Sequence, residues 1–164
     1  MNFRNARLVA FASFSLFFAS INSASAQIVA LGHSMVRGNV SESEMWPALL
    51  EGLLHVHVAN AGVWGETTDA TLARVSSAVP QGTRTVILAD NAFNDLRHGM
   101  SPVQAAANIA AIKSQLKARG IRVVDATGTV ISILRQPGGA GPDGRHLSVE
   151  GNRKVAAMLA GMVR

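Results

Sequence analysis

The sequence predicts an α/β fold, with a small parallel sheet of four to five strands covered by helices on both faces. Three observations lead there. Short apolar runs that read as buried strands alternate with segments whose apolar residues recur at helical spacing. The links between them are short, so no second domain or linker interrupts the pattern. The polar clusters Gly32-His33-Ser34, Asn60 to Gly65 and Asp90 to Asp95 each follow a strand-like run. Right-handed crossovers place such strand ends on one edge of a parallel sheet, where ligands bind.

Taken in order, residues 1–26 read as a secretory signal rather than as part of the fold. Arg4 and Arg7 form a basic head, an apolar block runs from Leu8 to Ile21, and Ala24-Ser25-Ala26 offers a small-x-small cleavage site before Gln27. The block falls short of the roughly 20 apolar residues that span a bilayer, so no stable membrane anchor is expected after cleavage, and the mature domain, 27–164, is expected to be periplasmic or secreted. Ile28 to Leu31, ending at Gly32, is the first strand. Trp46, Leu49, Leu50 and Leu53 give one helical face, and Val56 to Ala59 a second strand. Leu72, Val75 and Val79 mark a helix stopped by Pro80, and Thr85 to Ala89 is the clearest buried strand. Ser101-Pro102-Val103-Gln104 carries a capping hydroxyl, a proline at the first helical position and a Gln three residues on. Ala105, Ile109, Ile112 and Leu116 then form the buried stripe, and Gly120 closes the helix. Ile121 to Val124 is a strand. Thr129 to Leu134 fits either a strand or a short helix, and residues 137–142 are loop. A final helix capped by Ser148 presents Val155, Met158, Leu159 and Met162.

Composition removes several functions. Zero cysteines exclude disulfides, thiol catalysis and cysteine-ligated zinc. The pI of 11.1 invites a nucleic-acid reading. Without the signal, however, 13 basic residues face 10 acidic ones, and no aromatics lie among the main cationic cluster, Lys113, Lys117, Arg119 and Arg122. No nucleic-acid partner is expected. His55 and His57 alternate like a two-point metal site, but no third ligand lies nearby, so a surface strand is the simpler reading and no metal or cofactor is expected.

Several residues can carry chemistry. Ser34 follows the first strand, where a hydroxyl stands at the sheet edge near backbone N–H groups. Asp143 and His146, three apart on a loop, can meet so that the carboxylate holds the imidazole in its proton-accepting tautomer. Asn94 offers a side-chain amide and Gly65 a backbone N–H to the same spot. Trp64 can wall an acyl pocket, and Arg97 and His98 can rim the cleft.

The ordered blocks Gly32-His33-Ser34, Asn60-Ala61-Gly62-Val63-Trp64-Gly65-Glu66-Thr67-Thr68, Asn94-Asp95 and Asp143-Gly144-Arg145-His146-Leu147, with Glu150-Gly151 behind the last, resemble those of SGNH (GDSL-type) hydrolases. The resemblance runs from about Ile28 to the C-terminus and extends to the branch holding bacterial periplasmic thioesterase/lysophospholipase-type esterases, to which the chain is similar. It implies a flavodoxin-like αβα sandwich and a serine hydrolase of small-molecule acyl esters or thioesters. By the same resemblance Ser34 is the nucleophile, His146 the general base and Asp143 its orienting partner. Gly65, Asn94 and the Ser34 N–H form the oxyanion hole. Two residues depart from the pattern: His33 stands where the family has Asp, and Ala92 where it has Gly. His33 is thereby expected beside the substrate pocket, as a different support for the nucleophile loop or as a competitor of His146 for the serine proton. The stretch before Asp143 is also short, which implies a reduced sheet and a more open cleft. Two alternatives stay open at this stage. One is a binding protein that kept the scaffold and lost the chemistry; the other is a carbohydrate O-deacetylase.

Overall fold

A computed structural model describes residues 27–164; the secretory segment expected over 1–26 lies outside the described residues. Four parallel strands, β1 (Ile28–Gly32), β2 (Val58–Gly62), β3 (Thr85–Ala89) and β4 (Arg122–Asp125), stand in the order β2-β1-β3-β4. Ile28 is level with Val58 and with Thr85, so the C-terminal ends of β1, β2 and β3 finish together at Gly32, Gly62 and Ala89. Alternation divides the strands between two cores. Ile28, Ala30 and Ile87 face one layer, Val29, Leu31, Val86 and Leu88 the other, and all are buried. Each fully buried side chain of this kind contributes roughly 1.5–3 kcal/mol.

The helices α1 (Ser34–Arg37), α2 (Trp46–Leu54), α3 (Thr68–Ala78), α4 (Phe93–Arg97), α5 (Pro102–Ala118), α6 (Thr127–Leu134) and α7 (Val149–Val163) follow in chain order. Apolar residues of α2, α6 and α7 fill the first core, and those of α3 and α5 the second, which makes a three-layer αβα sandwich. The chain passes over one face between β1 and β2, over the other face between β2 and β4, and returns to the first face with α6 and α7. The switch point therefore lies between β1 and β3, with Ser34 at the end of one and Asn94 just past the other.

Several expectations shift in register. β2 begins at Val58 rather than Val56, because α2 ends in a left-handed cap at His55 (φ 54°) and Glu51 reaches back to Val58 N–H at 2.8 Å. His55 and His57 thus share no strand; His57 Nδ1 pairs with Glu51 Oε2 at 2.8 Å instead. The ambiguous Thr129 to Leu134 segment is helical from Thr127, whose N–H is taken by Asp125 Oδ1 at 3.0 Å, and it buries Val130 and Ile133 at i, i+3. Ser101 Oγ caps α5 through Gln104 N–H at 3.1 Å, while the Gln104 side chain turns forward to Asn108. Asn108 joins the buried stripe, its amide donating to Thr68 Oγ1 on α3 at 3.0 Å, while Ile109 packs half-buried against the same core. Ser148 caps α7 as expected, but the helix is rotated. Asn152, Val155, Ala156 and Leu159 are buried, whereas Met158 and Met162 are exposed. The cause is polar: Asn152 Oδ1 accepts Trp46 N–H at 2.9 Å and its amide donates to Ser148 O, so α7 presents its Asn edge to α2. On α2, Trp46 and Leu50 are buried and Leu53 is exposed.

Candidate active site

Glycine creates the site's floor. Gly32 ends β1 at φ 148°, and a Cβ there would overlap the Ala89 carbonyl, so only Gly lets β1 turn sharply against β3. The turn delivers His33 as the cap of α1 and Ser34 as its first residue. At the end of β3, Ala92 stands at φ 56°, in the left-handed region that favours glycine, which accounts for the Gly of the family pattern at this place. Asp90 Oδ1 accepts Ala92 N–H at 2.9 Å and holds that strained turn, from which α4 carries Asn94 toward the cavity.

Ser34, Trp64, Gly65, Asn94, Arg97 and His146 line one cavity of about 430 Å³, as the sequence suggested; Asp143 stands behind His146, and His98 lines a separate depression with Thr67 and Met100. His33 lines the Ser34 cavity too, but is almost wholly buried, at 2% exposure, beneath the serine rather than beside a ligand. Trp64 packs on the His146 ring with centroids 4.6 Å apart, so it walls both the cavity and the imidazole.

The Asp143–His146 half of the constellation is formed. His146 Nδ1 donates to Asp143 Oδ2 at 2.6 Å, leaving Nε2 as the acceptor. Asp143 Oδ1 also takes the backbone N–H groups of Arg145 (2.9 Å) and His146 (3.0 Å). The His146 hydrogen bond first, then these two N–H groups, hold its carboxyl far below the usual carboxylate range. A fourth donor, Asn39 Nδ2 at 3.1 Å from Oδ2, comes from 104 residues away and was not legible in any local pattern.

The serine half differs. Ser34 Oγ has its contact with His33 Nδ1, at 3.4 Å, and not with His146. His33 Nδ1 also accepts Met35 N–H at 3.3 Å, which places the imidazole proton on Nε2, facing Asn91 Oδ1 at 2.9 Å and Asp90 Oδ1 at 3.6 Å. The Ser34 hydroxyl is thus oriented toward His33 rather than His146. Catalytic hydrogen bonds of this kind are commonly long without substrate and tighten in the complex.

The three groups expected to hold an oxyanion come from separate segments of the chain. Neither Ser34 nor Gly65 N–H donates to a backbone acceptor among the described residues. Asn94 Nδ2 donates one hydrogen to Glu66 O at 2.9 Å, which orients the amide and leaves its second hydrogen available. Beneath the loop, Glu66 is buried against Thr71 Oγ1 (2.8 Å) and Arg74, and Arg74 Nη2 reaches Ala61 O at 2.8 Å and Gly32 O at 3.4 Å. One guanidinium therefore ties the ends of β1 and β2 to the Gly65 loop. Asp95, fully buried, accepts Thr68 N–H at 2.9 Å and its hydroxyl, fixing α4 to the start of α3. Sequence reasoning missed the Glu66–Arg74 pair; its signal is an acid at a helix entrance with an Arg two turns into the helix. Among the described residues no three His, Asp or Glu side chains cluster as a metal site, and no helix is long and apolar enough to cross a membrane.

Comparison with known proteins agrees with this geometry. Residues 30–164 match the GDSL-like Lipase/Acylhydrolase family. An arylesterase of Vibrio mimicus is 31% identical over 120 residues, covering 68% of this chain and 60% of its own length, so the chain spans well under two thirds of that relative. The SGNH-hydrolase family esterase AlinE4 is similar at 33% identity and a TM-score of 0.54, over 60% of this chain and 57% of that one. TesA, at 19% identity, shares the fold with a TM-score of 0.72 over 84% of this chain and 97% of its own.

Proposed function

The chain belongs to the GDSL-like lipase/acylhydrolase family, and on that premise we propose that it is a serine hydrolase of carboxylic esters or thioesters, working through an acyl-enzyme on Ser34. The observation that carries the reading is the hydrogen bond from His146 Nδ1 to Asp143 on the wall of the cavity that holds Ser34. It fixes the tautomer whose Nε2 takes a proton.

In this reading, substrate entry turns the Ser34 hydroxyl from His33 to His146. Oγ attacks the acyl carbon as its proton passes to His146 Nε2, and the carbonyl oxygen becomes an oxyanion held by the Ser34 and Gly65 N–H groups and the free hydrogen of Asn94 Nδ2. Collapse breaks the bond to the alcohol or thiol, which leaves with the proton from His146. A water then attacks the acyl-Ser34 carbonyl, giving its proton to His146. The second collapse releases the carboxylic acid and returns the proton to Oγ. The chain's own groups supply nucleophile, base and electrostatic stabilisation. Export is part of the proposal and rests on the basic head, apolar block and Ala24-Ser25-Ala26 site; a mature N-terminus at Gln27 is the expected result of N-terminal sequencing.

The test is hydrolysis of p-nitrophenyl acetate and butyrate, with the matching thioesters alongside. Wild type is expected to turn over, and Ser34→Ala and His146→Ala to lose turnover while keeping native circular dichroism. Equal rates in wild type and Ser34→Ala would overturn the proposal.

A further inference from the structure

The cavity is lined by two arginines, Arg97 and Arg145, together with the aromatic residues Trp64 and Phe93. The carboxylates of this layer are all committed elsewhere. Glu66 is paired with Arg74, and Asp95 is buried on Thr68. Asp90 is buried beneath His33 and Ala92, and Asp143 holds His146. None of the four lines the cavity, and neither Arg97 nor Arg145 has a carboxylate partner among the described residues. The two arginines are placed by features of the site itself. Arg97 lies over the Phe93 ring with its central carbon 5.8 Å from the centroid. The Arg145 main chain is fixed by its N–H on Asp143 Oδ1, on the same turn as His146. The result is one cavity whose lining combines two aromatic residues, two arginines without a carboxylate partner among the described residues, and Ser34.

We propose that Arg97 and Arg145 select esters that carry a carboxylate on an aromatic or similarly flat group, the anion lying between the guanidiniums while the ring rests on Trp64 and Phe93. This deepens the ester-hydrolase reading of the same site and rests on it. Guanidinium suits the task because its planar donors pair with a carboxylate edge to edge and it remains charged at any working pH. The carboxylate can belong to the alcohol half or the acyl half of the ester, and the substrates below separate the two.

The experiment compares kcat/KM for each anionic ester with its neutral amide isostere: para-carboxyphenyl acetate against para-carbamoylphenyl acetate for the alcohol half, and monophenyl terephthalate against phenyl para-carbamoylbenzoate for the acyl half. The anionic-to-neutral ratio is expected to fall about tenfold in Arg97→Gln/Arg145→Gln for one of the two pairs, and to fall in wild type at high salt, as partly exposed charge pairs do. Taking ratios removes leaving-group differences. Turnover of all four esters with ratios unchanged by the double substitution would overturn the inference while leaving the hydrolase reading intact. If no ester is turned over, the hydrolase reading fails on its own, and binding decides the inference. The Ser34→Ala protein should then bind the anionic esters more tightly than the amides, with the preference lost on Arg97→Gln/Arg145→Gln; equal binding would overturn it.

Discussion

Replacing His33 with Asp, the residue of the family pattern, is predicted to damage this protein rather than improve it. The reason is Asp90. Its side chain is fully buried, Oδ1 lies 3.6 Å from His33 Nε2, and Oδ2 has no hydrogen-bond partner among the described residues. Burial raises the Asp90 carboxyl, and His33 is the leading influence that lowers it. An Asp at position 33 puts a second carboxylate about 6 Å from the first, which at an effective dielectric near 20 costs about 3 kcal/mol. The ceiling is about 4 kcal/mol, because beyond that one carboxyl simply takes a proton at neutral pH. Losing the imidazole's bond to Asn91 adds about 1 kcal/mol. His33→Asn keeps an acceptor for Met35 N–H and stays neutral, so it should cost only about 1–2 kcal/mol. Urea denaturation followed by circular dichroism at neutral pH measures both. His33→Asp should lose about 3–5 kcal/mol, and adding Asp90→Asn should recover at least about 2 of it. A His33→Asp protein as stable as His33→Asn would refute the reasoning.

The remaining predictions concern the same layer. Asp90→Asn should stabilise the protein at neutral pH: a folded carboxyl raised above its unfolded value loses stability as pH climbs from the ordinary carboxylate range through the folded value, so in urea titrations the gain should vanish near pH 3.5 and grow toward pH 7. Ala92→Gly relieves the left-handed alanine and should add about 1 kcal/mol to unfolding stability; a loss would show that the strain argument is wrong. Asn94→Ala should lower kcat for p-nitrophenyl acetate roughly 100- to 1000-fold with little change in KM, as for one lost oxyanion donor. Asn39→Ala removes one of four donors to Asp143 and should cost less, about three- to tenfold in kcat/KM; no change would make Asn39 a bystander.

What could be read ahead of the structure follows from how local each interaction is. β3 and the start of α5 were legible because an unbroken apolar run and a Ser-Pro-x-Gln cap are specified within a few residues. The grouping of Ser34, Gly65 and Asn94 was legible because a parallel sheet gathers strand ends on one edge, whereas His146, between α6 and α7, was legible only through its spacing from Asp143 and the family resemblance. The rotation of α7 was not, since it depends on Asn152 meeting Trp46 N–H, 106 residues apart. Apolar periodicity alone favoured Met158 and Met162, which the polar contact turns outward. Asn39 reaches Asp143 across the fold from the loop after α1, and Arg74 serves carbonyls on β1 and β2 that no spacing rule connects to it. The His33 substitution was visible in the sequence. Its partners Asn91 and Asp90, 58 and 57 positions on, became visible only in three dimensions.

The central claim is that Ser34 is a nucleophile activated by His146. A fluorophosphonate probe tests it most directly, because only an activated serine displaces its leaving group. Intact-mass and peptide analysis of the labelled protein should find one adduct, on Ser34, absent from Ser34→Ala and greatly slowed in His146→Ala. Wild-type protein that stays unlabelled, or labelling that persists in Ser34→Ala, would contradict the account.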